Sequence, residues 1–210
     1  MAPAGHHGLC VDCTMHLAPD NQNCCLRCGL PLNHAADTCG QCLLTPPAYD
    51  YTRAGRIYAW PLSHLIHAFK YGHAYGLASL LCDPLATTPL PDVFLPMPQH
   101  PLRLRERGYD QTRLLAAELS RRHKRPMLDL ACRRIRNTRS QTGLALSARK
   151  TNLKDAFACY GDVRSLHVAV VDDVMTTGSS MHELAGALRE AGATTIGCWV
   201  MARALPPGER

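Results

Sequence analysis

The chain has 210 residues, 46% hydrophobic and 19% charged, with a formal net charge of +6. The length suits one globular domain with a small appendage, and the balance is too apolar and too weakly charged for a disordered chain. No run of 18 uninterrupted apolar residues occurs, and the start MAPAGHHGLC has neither the basic nor the apolar stretch of a secretory leader, so a cytoplasmic protein without membrane insertion is expected.

Cysteine dominates the front of the chain. Seven of the 11 cysteines precede residue 43: Cys10, Cys13, Cys24, Cys25, Cys28, Cys39 and Cys42. In a reducing compartment such clustering points to metal rather than to disulfides. Each of the three CxxC pairs can give two thiolates to one tetrahedral Zn²⁺. Cys25/Cys28 and Cys39/Cys42 stand in a CxxC-x10-CxxC spacing, which predicts a compact zinc ribbon, and Cys10 and Cys13 are further ligand candidates. Three pairs so close together fit a structural metal better than a redox CxxC. A module this small has no sufficient core, so metal would carry its folding energy. Cys82, Cys132, Cys159 and Cys198 are scattered singly and are expected to be small buried hydrophobes.

Residues 1–44 therefore form a Cys-rich module, TPPAYDY (45–51) a Pro-containing linker, and 52–210 the main domain. Within that domain a strand is expected at Gly55–Ala59. Leu62–Lys70 has apolar residues at 62, 65, 66 and 69, a short amphipathic helix, and Gly76–Leu85 continues as a second. VFLPMP (93–98) is a buried strand stopped by prolines. Asp110–His123 is helical, with Leu114, Leu115, Ala117 and Leu119 as its apolar face. Residues 133–154 are basic and aperiodic, a mobile loop. Leu166–Val171 is a strand and Met181–Ala191 a helix, with Ser180 and Glu183 as a capping box and Gly192 at the C-terminal cap. Thr195–Met201 is a last buried strand. Strands alternating with helices predict an α/β fold with a mainly parallel sheet flanked by helices.

One stretch stands out chemically: VAVVDDVMTTGSS at 168–180. An apolar strand delivers Asp172 and Asp173 to the carboxyl edge of a parallel sheet, where ligands bind in such folds. The following turn into a helix offers backbone N–H groups and a positive dipole end, suited to phosphate. Thr176, Thr177, Ser179 and Ser180 add hydroxyl donors, and Gly178 permits a close approach or a sharp turn. Carboxylates suit sugar hydroxyls and hydrated Mg²⁺, so carboxylates beside a phosphate cradle describe a sugar-phosphate site. An acidic helix cap would need one aspartate and no Thr-Thr-Gly tail. The paired aspartates of a phospho-acceptor pocket would follow the first strand, not a late one.

The stretch closely resembles the ribose-phosphate signature of type I phosphoribosyltransferases. That resemblance implies that Asp172 and Asp173 contact the ribose hydroxyls of phosphoribosyl pyrophosphate (PRPP), while Met175, Thr176, Thr177, Gly178 and Ser179 wrap its 5′-phosphate. HAFKYG (67–72), PMPQHPLRLRERGYDQ (96–111), RSQTGLALSARKTNL (139–153) and AGATTIGCWVMARA (191–204), together with the Cys-rich front, resemble the ComF family of competence-protein-F-like phosphoribosyltransferase homologues. The resemblance spans nearly the whole chain. It implies Lys70, with Tyr71, at the pyrophosphate, and Arg149 reaching the diphosphate from the mobile loop that holds Gln141. It also implies a second zinc in longer members. Here one pair is shortened away to Cys24, so Cys10 and Cys13 either join Cys24 and His16 or replace another pair. Asp110 stands where the family usually has Asn.

Residues 99–154 hold 15 of the 23 Lys and Arg but only 4 of the 17 Asp and Glu. The excess suggests a polyanionic partner. Arg103, Arg105 and Arg107, followed by Gln111, form its most compact patch. Two functions follow. One is a phosphoribosyltransferase using Mg²⁺ with PRPP. The other, implied by the family, is a protein that binds single-stranded DNA in DNA uptake and uses the fold as a scaffold. Tyr109 is the only aromatic in 99–154, so base stacking is expected to be weak and binding steeply salt-dependent.

Overall fold

The computed structural model describes residues 9–17, 23–85, 89–136, 156–206 and 208. Its centre is a four-stranded parallel sheet of order β1-β6-β5-β2, made by β1 (Tyr51–Ile57), β2 (Val93–Pro96), β5 (His167–Met175) and β6 (Thr195–Arg203). A separate antiparallel pair joins β3 (Cys132–Arg134) to β4 (Phe157–Cys159).

The central strands are continuous apolar runs because both faces are covered. Successive side chains alternate faces. Val168, Val170, Ile196, Cys198 and Val200 thus pack with Met181, Leu184 and Leu188 of α7 (Ser179–Glu190), together with Ala131, Cys132 and Phe157. Ala169, Val171, Trp199 and Met201 pack the other way, against α3 (Leu62–Tyr71), α4 (Leu77–Cys82) and α6 (Gln111–His123). Arg122 clamps α6 to α4 by donating to Glu118, Asp83 and the carbonyl of Ser79. At the far edge of the sheet, Trp199 Nε1 donates to Tyr51 Oη at 3.1 Å, which lies 2.8 Å from His167 Nε2.

Several boundaries differ from expectation. β1 starts at Tyr51, four residues before Gly55, because its ladder with β6 begins at Tyr51↔Gly197. β5 runs on through both aspartates to Met175, since β6 pairs with it as far as Met175↔Arg203. The buried face of α6 uses Ala116 where Ala117 was expected, and Ala117 is exposed. Residues 133–134 lie in β3, and 137–155 are outside the described residues. A short exposed helix, α5 (Pro101–Arg107), was not expected: it buries nothing, but Pro101 starts it and Gly108 ends it at φ 76°. Cys132 and Cys159, expected as separate thiols, face each other across β3–β4 and form a disulfide. Cys82 and Cys198 are buried singly, as expected.

The cysteine module includes α1 (Val11–His16) and α2 (Gly40–Leu44). Its knuckle is hydrogen-bonded to the first strand of the sheet. The Thr52 amide donates to Leu26 O at 2.8 Å, and Thr52 Oγ1 donates to Arg27 O at 2.5 Å. Among the described residues no helix is long and apolar enough to cross a membrane.

Candidate functional site

The two aspartates at the end of β5 have different surroundings. Alternation turns Asp173 toward α3 and α6, where it is 4% exposed. Lys70, at the end of α3, meets it at 2.9 Å, and Gln111 Nε2 donates to it at 3.4 Å. Asp110 caps α6 by accepting from the amides of Thr112 and Arg113, and Thr112 Oγ1 donates to Met97 O at 3.0 Å. That cap fixes Gln111 under Asp173. An Asp serves there as well as an Asn, so the departure at position 110 preserves the cap.

Asp172, one residue earlier, is turned the other way and is partly buried. Its burial, together with the charge of Asp173, raises its carboxyl to about 7 against the pull of Lys70. Burial works against the Lys70 ammonium, but Asp173 outweighs it and the lysine is held above its ordinary value. On the Asp172 side stands Arg134 of β3. It is buried over the Phe157 ring at 5.6 Å and lowered to about 10 by that burial and by Arg103, with Asp172 opposing. Sequence reasoning missed Arg134 as a site residue, since on the chain it is one of several arginines in a basic run.

The turn after β5 is built for close approach. Gly178 is buried at φ 75°, and a Cβ there would lie 2.7 Å from Met175 Cε and 2.8 Å from Tyr49 Oη. Met175 is buried, Thr176 and Thr177 are exposed, and Ser179 opens α7. The expected Ser180–Glu183 box is replaced: Gly178 holds the cap position without a side-chain bond, and Thr177 Oγ1 accepts from the Ser179 amide at 3.4 Å. Gly192 takes φ 96° behind α7, as the C-terminal cap requires. Gly178→Ala forces a left-handed β-carbon into contact with Tyr49, and should cost about 1–2 kcal/mol in denaturant unfolding. An unchanged midpoint would show that the turn relaxes freely.

The basic patch divides by helical geometry. Arg103 and Arg107 share one face of α5 and are half-buried, while Arg105 is exposed. Arg107 lies over the Tyr71 ring at 5.3 Å. Around it Tyr71 and Tyr75 are 57% and 45% exposed, and Tyr75 packs on Tyr109 at 4.7 Å. The fold thus gathers aromatic rings at the patch from outside residues 99–154. Arg149 and Gln141 lie outside the described residues.

Cys25, Cys28, Cys39 and Cys42 bring their sulfurs within 4.8 Å of one another. For zinc–sulfur bonds of about 2.3 Å a tetrahedron has edges of about 3.8 Å, and the Cys28 and Cys39 sulfurs are 3.8 Å apart. The donor set therefore fits Zn²⁺. Among the described residues no third donor completes a group with Cys10 and Cys13. His16, a candidate partner for them, packs on Trp60 with ring centroids 5.2 Å apart.

No protein-family model matches the chain. It is similar to the DNA utilization protein YhgH of Escherichia coli (strain K12), 36% identical over 96% of this chain and 92% of that one. It is also similar to competence protein F of Haemophilus influenzae, 34% identical over 94% and 91%. Among solved structures it resembles a glutamine PRPP amidotransferase from B. subtilis at TM-score 0.42 and 19% identity, over 65% of this chain and 26% of that one. A purine phosphoribosyltransferase from Pyrococcus horikoshii matches at TM-score 0.32 and 16% identity, over 75% and 94%.

Proposed function

The chain belongs to the competence protein F (ComF) family, and from that membership we propose that it binds PRPP at the carboxyl edge of its sheet and transfers ribose 5-phosphate to an acceptor nucleophile. One observation carries the proposal: the ion pair of Lys70 with the buried Asp173 stands with Asp172 at the strand end that leads into the Gly178 turn. Asp172 and Asp173 accept from the ribose hydroxyls, and the amides and hydroxyls of 176–179 hold the 5′-phosphate. The bond from C1′ to pyrophosphate oxygen breaks, a bond from the acceptor to C1′ forms, and the acceptor proton leaves to solvent. Lys70, Arg134 and Arg149 supply positive charge for the departing pyrophosphate. Mg²⁺ bound with PRPP would neutralise part of that charge.

PRPP affinity should depend on pH through Asp172. Its carboxyl, raised to about 7, accepts from a hydroxyl best when ionised, so affinity should rise from pH 6 to pH 8. Calorimetric titrations with Mg²⁺ at both pH values test this, and a flat profile would remove Asp172 from the site.

A second function is favoured by the exposed Tyr71 and Tyr75 rings beside Arg107, a surface on which bases of single-stranded DNA can stack. This suits the DNA utilization and the competence for which the relatives are named, and on this reading the protein would act in DNA uptake from the cytoplasm. Asp172→Asn with Asp173→Asn separates the two. PRPP binding should be lost, while DNA binding is unchanged or slightly tighter because two negative charges are gone. Full PRPP affinity in the double variant would disprove the assigned site.

A further inference from the structure

Arg203, the last residue of β6, is 3% exposed. A buried guanidinium is costly unless its donors are satisfied. Here Nε and Nη1 donate to backbone carbonyls, those of Cys28 and of Met175 and Thr176 coming from two distant parts of the chain. Nε donates to Cys28 O at 2.7 Å, at the metal knuckle. Nη1 donates to Met175 O at 3.0 Å, to Ala204 O at 2.8 Å, and to Thr176 O.

The two loop carbonyls fix the direction of the loop amides. In a trans peptide the C=O and N–H point opposite ways. Drawing Met175 O and Thr176 O onto Arg203 therefore turns the Thr176 and Thr177 N–H groups away from it, on the stretch whose side chains are exposed. The Ala204 amide holds Met175 O from the same side at 2.9 Å.

Other contacts run between the same parts. Thr52 Oγ1, which donates to Arg27 O, is 4.0 Å from Met175 Sδ. Arg27 Nη1 donates to Tyr49 O at 3.0 Å, and the Tyr49 hydroxyl packs against Gly178. The backbone of Arg27 and Cys28, inside one CxxC pair, thus underlies the turn.

We infer that Arg203 is a positioning residue that couples metal occupancy of the Cys25/Cys28/Cys39/Cys42 knuckle to the anion-binding shape of residues 175–178. It acts on PRPP through the loop. Bound zinc fixes the Cys28 carbonyl. Without it Arg203 loses a held acceptor, and the loop loses its support. Linkage makes the effect reciprocal: if zinc favours PRPP binding, PRPP must favour zinc retention. The inference rests on the sugar-phosphate reading of the loop.

The test uses the zinc-loaded full chain. PRPP with Mg²⁺ should raise zinc affinity, read by equilibrium competition with a colorimetric chelator, by about fivefold or more, within the usual span of coupling between sites. Arg203→Lys keeps the charge but loses the planar fork that reaches knuckle and loop together. It should still bind zinc, bind PRPP about tenfold more weakly, and show no PRPP effect on zinc affinity. A wild-type zinc affinity unchanged by bound PRPP overturns the inference, as does the full gain in Arg203→Lys. If Arg203→Lys fails to fold, the wild-type affinities decide alone. If calorimetry finds no PRPP binding, the sugar-phosphate reading has failed. Amide exchange at 176–180 then decides: faster exchange in zinc-stripped protein supports the coupling, and unchanged exchange overturns it.

Discussion

Lys70→Met is expected to destabilise the protein by about 3–5 kcal/mol at pH 8 and to abolish PRPP binding. Asp173 is 4% exposed, and Lys70 is the cation that meets it, at 2.9 Å. Removing the ammonium leaves a buried carboxylate beside a second one. The loss should shrink at pH 5.5. The Asp172 carboxyl, raised to about 7, is ionised at pH 8 and protonated at pH 5.5, so the repulsion it adds disappears as pH falls. In the wild type the same raised value means that Asp172 favours the folded state most below the ordinary carboxylate range, and that this contribution is lost as pH rises through 7. Urea unfolding of wild type and variant at both pH values gives the comparison. Equal losses at pH 5.5 and pH 8 would contradict the coupling of the three groups. The exposed Arg164–Asp162 pair is the control, because screening leaves such surface pairs little net effect.

The second large effect concerns the metal. One zinc per chain is expected in the Cys25/Cys28/Cys39/Cys42 knuckle, with apparent binding on the order of 10–16 kcal/mol at neutral pH, as in other small zinc folds. Cys28→Ser should lose that zinc and lower the thermal midpoint. The affinity should climb with pH. Burial pushes the Cys28 thiol up to about 11 and raises Cys42 further. Burial also opposes ionisation at Cys25, but backbone amides of Cys28, Cys39 and Arg27 outweigh it and bring that thiol down to about 7. Zinc must displace the protons still present, so acid competes with it. Metal content by atomic emission, with proton release followed during titration, measures both. Retention of one zinc per chain by Cys28→Ser would rule out this ligand set.

Much of this architecture was legible because its signals are local. The CxxC-x10-CxxC spacing located the four sulfurs that meet, and the apolar run before Asp172 located the carboxyl edge of the sheet. Signals that depend on distant partners were not. Asp is a poor strand former, so β5 was expected to stop at Val171, but the β6 ladder overrides that preference. The α5 helix has no apolar stripe, and only Pro101 and Gly108 mark it. Arg134 and Arg203 look on the chain like any solvated arginine, and their burial exists only once β3 and β6 are packed. The Tyr71–Tyr75–Tyr109 cluster joins residues that composition had counted separately.

The two tryptophans occupy opposite extremes: Trp199 is fully buried between the sheet and its helices, while Trp60 is 60% exposed beside His16. Their emission is therefore separable without mutation. Iodide quenches the outer indole and spares the inner one. The protected fraction then follows loosening of the central sheet, and the quenched fraction follows detachment of α1 from the domain, two optical channels in one unlabelled chain.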